Sequence, residues 1–188
     1  MASELQLVRH AATEWSQNGR HTGRTDLPLV PAGEALARRL RPVLDVKRFT
    51  AAFTSDLQRA RRTAALAGFP DAEPTALLRE FDYGEYEGLT SAQIHALWPG
   101  WEVYHDGCPG GESPEQVYAR AEAFLAQIAG VPGAVIAFSH GHFSRALAAV
   151  WTRQPIVMAT HLALDAGGIG VLRDGDHGRV LQHWNLSA

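Results

Sequence analysis

Apolar residues along the chain fall into two patterns. Short, nearly unbroken runs at Leu5 to Val8, Phe49 to Thr54 and Ala134 to Phe138 predict buried strands. The last of these, with β-branched residues and no polar interruption, has the character of a central parallel strand. Between the runs, apolar residues recur at helical spacing. Leu36, Leu40, Val43 and Leu44 predict a helix from Ala32 that Pro42 ends near Arg41. Ser113-Pro114-Glu115-Gln116 reads as a capping box with proline at the first helical position, opening a helix striped by Val117, Ala121, Phe124, Leu125 and Ile128. Ser55-Asp56-Leu57-Gln58 has the same capping form and places Arg59 in a first helical turn. A further helix carries Ala146, Leu147, Ala149, Val150 and Trp151. Gly167 to Leu172 and Arg179 to Trp184, around Arg173-Asp174-Gly175-Asp176-His177-Gly178, read as a hairpin with a Gly-rich turn. Strands alternating with helices give an α/β fold class. The loop-rich, aromatic stretch of about residues 85–115 is expected as a cap inserted on the sheet's upper edge, with Trp98, Trp101 and Tyr104 forming its own small core.

Composition narrows the picture. A chain of 188 residues, 46% hydrophobic and with a formal charge of -3, fits one globular domain over 1–188. Its single cysteine, Cys108, excludes an intrachain disulfide and fits a reducing cytoplasm. There is no signal-type leader and no apolar stretch long enough to span a bilayer, so neither secretion nor a membrane is expected. The mild acidity, with Arg59, Arg61 and Arg62 as the main basic cluster, argues against nucleic acid as a partner.

The candidate chemistry sits where strands end. In an open α/β sheet that edge is where ligands bind, and the first strand stops at Arg9-His10 while the central one stops at Ser139-His140-Gly141-His142. The loop from Gln17 to Asp26 holds two arginines, a histidine and two threonines, enough donors for an oxyanion. An arginine at position 59, near the positive end of a helix, is either exposed or aimed at an anion that the helix end also attracts. The segment Arg79 to Gly88 interleaves carboxylates with aromatics, which can make one carboxyl a usable acid, although composition does not say which. Together these features suggest a phosphate site, with arginine as bidentate donor and imidazole as nucleophile.

Four segments carry a resemblance: Leu7-Val8-Arg9-His10-Ala11-Ala12-Thr13-Glu14-Trp15, Thr54 to Ala64 around Arg59, Leu78 to Gly88 around Glu80, and Ser139-His140-Gly141. In this order they resemble the signatures of the histidine phosphatase superfamily, with the phosphoglycerate-mutase-like fold. That resemblance implies a three-layer sandwich, its mostly parallel central sheet covered by helices on both faces. It also implies that His10 is the nucleophile that becomes phosphohistidine, that Arg9, Arg59 and His140 grip the phosphoryl oxygens, and that Glu80 is the proton donor, with Asp82 as the fallback acid. Thr13, Thr22 and Gly23 match positions that touch phosphate. Ser16 stands where many members carry asparagine, and Ala11 replaces a glycine. No metal and no cofactor is implied.

The mutases of the family generally carry several basic residues in the inserted segment, whereas Arg120 is the only Lys or Arg between Arg79 and Arg145 here. The segments Gly19 to Leu29, Asp82 to Gly88, Asp106-Gly107-Cys108 and His140-Gly141-His142 look instead like the branch that holds the mycobacterial broad-specificity acid phosphatase and the fungal sedoheptulose bisphosphatase. The expected activity is therefore hydrolysis of small phosphomonoesters, sugar phosphates or bisphosphates, by a cytoplasmic enzyme. Arg20, His21, Arg24 and His142 are candidates for a second phosphate or for sugar hydroxyls, and Gly141 joins the substrate-binding set. The alternatives are mutase-type phosphoryl transfer, a non-catalytic phosphosugar-binding module on the same fold, and a metallohydrolase using His140 and His142. The last lacks the carboxylate-rich partners such a site needs. Partners are a small phosphate ester and, compatibly, a second copy of the chain in a homodimer.

Overall fold

The three apolar runs become adjacent strands of one sheet. A computed structural model describes residues 2–176 and 178–188. Its strands are β1 (Ala2–Arg9), β2 (Phe49–Ser55), β3 (Glu73–Thr75), β4 (Gly133–Ser139), β5 (Ile169–Gly175) and β6 (Gly178–Leu186), and its α-helices are α1 (Glu14–Gln17), α2 (Pro31–Leu40), α3 (Gln58–Leu66), α4 (Ser91–Leu97), α5 (Val103–Asp106), α6 (Pro114–Ile128) and α7 (Gly141–Trp151). The strand order is β3-β2-β4-β1-β5-β6. β4 pairs in parallel with both β1 and β2, β2 pairs in parallel with β3, and the C-terminal hairpin joins β1 in antiparallel fashion. His177, in the expected hairpin turn, lies outside the described residues.

Side-chain alternation along the two central strands divides the core into two layers. Leu5, Leu7, Val135 and Ala137 face the side covered by α6 and α7, with Phe124, Phe143 and Trp151. Val8, Ile136 and Phe138 face the other side, against Leu40, Leu44, Ala64 and Phe69 of α2, α3 and the loops that follow them. Helices thus cover both faces of a mostly parallel sheet, the three-layer arrangement implied by the sequence resemblance.

The capping box at Ser113 is present, with Gln116 N bonding to Ser113 Oγ and Ser113 N to the Gln116 side chain. The one expected at Ser55 is not. Helix α3 starts two residues later, at Gln58, with Leu57 as its N-cap and no side-chain cap of its own. Ser55 is still part of β2, and its hydroxyl receives Leu57 N at 3.3 Å and lies 2.8 Å from His140 Nε2. The helix end is served from a distance: Asp26 Oδ1 accepts from Gln58 N at 2.8 Å. This tethers the 17–26 loop to α3.

Residues 84–112 contribute α4, α5 and a 3-10 turn between the third strand and α6. Trp101 and Tyr104 are buried there, Trp101 donating from Nε1 to Gly107 O at 2.7 Å, whereas Trp98 is half exposed and lies outside that core. The stretch closes on itself where residues 109–111 pack back-to-back on 82–84: Glu85 N donates to Pro109 O at 2.9 Å and Glu112 N to Asp82 O at 2.9 Å. Gly84 takes φ +51° at this contact, and a Cβ on Gly111 would overlap Asp82 O and lie 2.7 Å from Gly84 N. We expect Gly111→Ala to cost about 1–3 kcal/mol through overpacking. A lowered urea unfolding midpoint would register it, and an unchanged midpoint would contradict this packing.

Candidate active site

Register brings the two histidine-bearing strand ends side by side. Arg9 is opposite Ser139 in the β1/β4 ladder, and His10 N extends it with a 2.8 Å bond to Ser139 O. The next residues of both strands, His10 and His140, then place their rings edge to face with centroids 5.1 Å apart.

His10 is almost wholly buried, and its Nδ1 lies 2.8 Å from Ala11 O. A carbonyl has no proton to give, so Nδ1 carries the hydrogen and Nε2 keeps its lone pair. Burial, then the charges of Arg59 and Arg9, hold the imidazole's pKa well below the usual 6.5. His140 is also fully buried and held neutral by burial and then by Arg59. Its Nδ1 accepts from Arg59 Nε at 3.1 Å and its Nε2–H therefore points at Ser55 Oγ.

Arg59 has no solvent exposure. Besides His140, it donates from Nη1 to Thr25 O at 2.8 Å and from Nη2 to Thr22 O and Gly23 O at 3.0 and 2.9 Å. Four of its five N–H groups are thereby engaged, and the side chain pins the 22–25 loop beneath the two imidazoles. The same loop is held from its other side by Glu87, whose carboxylate accepts from Gly23 N and Thr25 N at 3.0 Å. The Gly23 N–H matched to a phosphate contact is thus engaged by an internal carboxylate. Thr13 is fully buried and caps α1 in a reciprocal box with Ser16.

Arg9 is arranged differently. Nη1 donates to Leu164 O at 2.5 Å, while Nε is buried with no partner among the described residues. Its guanidinium lies against Gly141, where a Cβ would come within 3.2 to 3.6 Å of Nε, Cζ and Nη1. Glycine at the first position of α7 gives this cation room.

Glu80 stands at the same helix end. Oε1 accepts from Phe143 N at 2.7 Å and from Phe81 N at 3.0 Å, and Oε2 accepts from His142 N at 3.0 Å. Two of the amides that α7 leaves without intrahelical partners are satisfied by this carboxyl. His142 itself stacks on His21 with centroids 5.8 Å apart. Burial raises the Tyr83 phenol well above its usual range, so its hydroxyl donates to His142 Nδ1 at 2.5 Å, leaving Nε2–H on His142 free. His21 turns Nδ1–H to Leu89 O at 2.9 Å. Both imidazoles have lowered pKa values, chiefly from burial. His140 and His142, two apart in sequence, face different neighbours and do not form a paired-ligand site.

A cavity of about 190 Å³ collects these groups. Arg9, His10, Ser16, Arg20, His21, Thr22, Glu80, Gly141 and His142 line it, as do Tyr83, Ser91, Arg145 and Leu164. Thr13, Gly23, Arg59 and His140 stand behind it rather than in its wall. Arg24 is absent from the wall too: it pairs with Asp82 at 2.6 Å, and both border a neighbouring cavity. Asp82, the fallback acid, lines that neighbouring cavity and not the one with His10, whereas Glu80 borders both. Arg145 is the cation that motif matching passed over. It lies one turn beyond Gly141 on α7, spacing that puts both on one helix face, and it donates to Ala159 O and Thr160 O at 3.0 and 3.1 Å.

The comparisons agree with this geometry. The model of the histidine phosphatase superfamily (branch 1) matches residues 5–187. An acid phosphatase of Mycobacterium tuberculosis is 39% identical over 171 residues, covering 89% of this chain and 84% of its own. A sedoheptulose 1,7-bisphosphatase of Saccharomyces cerevisiae is 34% identical over 178 residues, 77% of this chain and 66% of its own. A 2,3-bisphosphoglycerate-dependent phosphoglycerate mutase of Xanthobacter autotrophicus is 35% identical over 138 residues, 65% and 66% of the two chains. A solved structure of a Mycobacterium tuberculosis open reading frame product superposes with a TM-score of 0.95 at 37% identity, covering 100% of this chain and 99% of that one. With four motifs in order, two histidines at adjacent parallel strand ends and a family match over nearly its whole length, the chain belongs to the histidine phosphatase superfamily, branch 1.

Proposed function

We propose that this protein is a metal-independent phosphomonoesterase that hydrolyses small phosphate esters through a phosphohistidine at His10. The observation that carries the reading is the fixed tautomer: Nδ1–H is committed to Ala11 O, so the lone pair of Nε2 is the available nucleophile. In the first step Nε2 attacks phosphorus, the bond from phosphorus to the alcohol oxygen breaks, and a protonated Glu80 passes its proton to the departing alkoxide. In the second, Glu80 as carboxylate takes a proton from water, whose oxygen bonds to phosphorus as the P–N bond breaks and its electron pair returns to Nε2. Charge spread over the transferring oxygens makes stabilisation by fixed donors the main contribution. The free Nε–H of Arg9 is one such donor, and the buried Arg59 supplies positive potential from behind.

The alcohol portion of the ester lies toward His21, His142, Tyr83, Ser16 and Ser91, hydrogen-bonding groups suited to hydroxyls. Arg145 and the exposed Arg20 add two cations at that end, which supports sugar phosphates and bisphosphates as the substrate class. The acid phosphatase and bisphosphatase relatives support the same class. Mutase-type transfer is less well supplied: Arg120, the only Lys or Arg between Arg79 and Arg145, engages all five N–H groups within the protein.

His10→Ala is expected to reduce turnover of p-nitrophenyl phosphate to background. An alkaline quench of wild-type protein during turnover of a radiolabelled ester should retain label on His10, and brisk hydrolysis with no such label would overturn the covalent route. The acid limb also tests the reading. Because the neutral imidazole attacks and its pKa is lowered, kcat/KM for p-nitrophenyl phosphate, whose leaving group needs little protonation, corrected for the ester's own ionisation, should hold steady as pH falls past 6.5 and decline only below it. Arg9→Gln removes one of the two cations that depress this group, so its limb should move to higher pH. A limb that stays in place would sever His10 from the acid side of the profile.

A further inference from the structure

We propose that the Arg120–Glu112 ion pair is the positioning device for Glu80, fixing the acid's main chain and carboxyl so that the proton reaches the leaving oxygen. This rests on the reading of Glu80 as proton donor given above. Residues 79–83 belong to neither helix nor strand, so no regular ladder sets where Glu80 points. A single guanidinium takes over that task. Arg120, midway along α6, meets Glu112 in bidentate fashion, Nε to Oε1 at 2.9 Å and Nη2 to Oε2 at 2.8 Å. Its remaining donors go to main-chain carbonyls: Nη1 to Leu77 O at 3.1 Å and Arg79 O at 2.6 Å, and Nη2 to Glu80 O at 3.2 Å. Glu112 Oε2 also receives Asp82 N at 2.9 Å. One ion pair thus holds the chain before, at and after the acid.

The other end of Glu80 is referred to the same guanidinium. Arg120 Cζ lies 4.2 Å from the centre of the Phe143 ring, close enough for a cation–π contact. Phe143 N donates the shortest bond that the Glu80 carboxyl receives, at 2.7 Å. Arg120 and Glu112 border the neighbouring cavity of about 210 Å³, which Glu80 also lines, and neither is in the wall of the one lined by His10. With side chains only 15% and 21% exposed, the pair is sheltered enough to be rigid. Proton transfer is sensitive to such rigidity, since a displacement of about 1 Å can cost roughly 10²-fold in rate. Lysine cannot replace this arginine, because three donors on one atom do not match five in a planar fork.

The test compares kcat/KM for p-nitrophenyl phosphate, whose leaving group needs little protonation, with that for an alkyl phosphate such as glycerol 1-phosphate. Glu80→Gln should lower the alkyl reaction by about 10²–10⁴ beyond its effect on the aryl one, the usual range for loss of a general acid. Arg120→Lys should lower the alkyl reaction about tenfold beyond the aryl, a partial loss of the same effect. In a Glu80→Gln background the extra penalty should vanish, because the two act as a unit. Equal losses on both esters, or the same alkyl penalty with Glu80 already replaced, would make the pair a general scaffold and overturn the proposal. If Glu80→Gln alone leaves the alkyl-to-aryl ratio at its wild-type value, the acid assignment itself fails and the positioning role goes with it. Should Arg120→Lys not fold, Glu112→Gln keeps an acceptor for Asp82 N but weakens the ion pair. It should show the same split in smaller measure, and equal losses there would overturn the proposal too.

Discussion

The constraint on which the site depends is a cation removed from water with no carboxylate hydrogen-bonded to it among the described residues. Arg59 is fully buried, and the groups that receive its N–H bonds are an imidazole and three backbone carbonyls. Burying a charge is costly unless its donors are satisfied, and these four acceptors satisfy four of its five N–H groups while leaving the net charge in place. Much of the surrounding geometry follows. The 22–25 loop must fold under the strand ends to bring its carbonyls to the guanidinium, and its amide groups then face Glu87. His140 must present Nδ1 as an acceptor, which fixes its tautomer. Both neighbouring imidazoles stay neutral because burial and this charge oppose their protonation.

Carboxylates reach Arg59 through the field rather than by contact, Glu80 and Asp26 most strongly. Arg9, the second cation, likewise meets a neutral carbonyl and keeps Nε without a partner. Glu80 is the one carboxyl in the cavity wall, and it is bonded to amides of α7 and its own segment rather than to either arginine. Fixed cations, neutral imidazoles and a separately anchored acid therefore occupy one small space without collapsing into ion pairs.

What was legible in the sequence follows physical range. Periodicity and strand character located the three central strands and the helices that cover them, because these depend on residues close in sequence. The strand ends at His10 and His140 were readable as one edge of the sheet for the same reason, and the motif around Arg59 set it in the first turn of its helix. Where the donors of Arg59 go was not readable, since they reach a loop some thirty-five residues earlier and an imidazole eighty-one residues later. The error at Ser55 has the same origin: its hydroxyl serves His140 and the turn after β2, and the amide of Gln58 is served by Asp26 across 32 residues. Glu87 looked like one of several equivalent acids until its distant amides were placed. Arg145 carried a usable local signal, its spacing from Gly141 on one helix, whereas the reach of Arg120 over the acid's main chain carried none.

The lone thiol of the chain has a further consequence. Cys108 is buried, and burial followed by the charges of Asp82 and Glu112 pushes its pKa up to about 12. Peroxide and alkylating agents attack the thiolate, a form this side chain does not adopt near neutral pH. Phosphatases that use a cysteine nucleophile expose their chemistry to oxidative stress. With its one sulfur inert, the chain offers an oxidant no reactive thiolate near neutral pH.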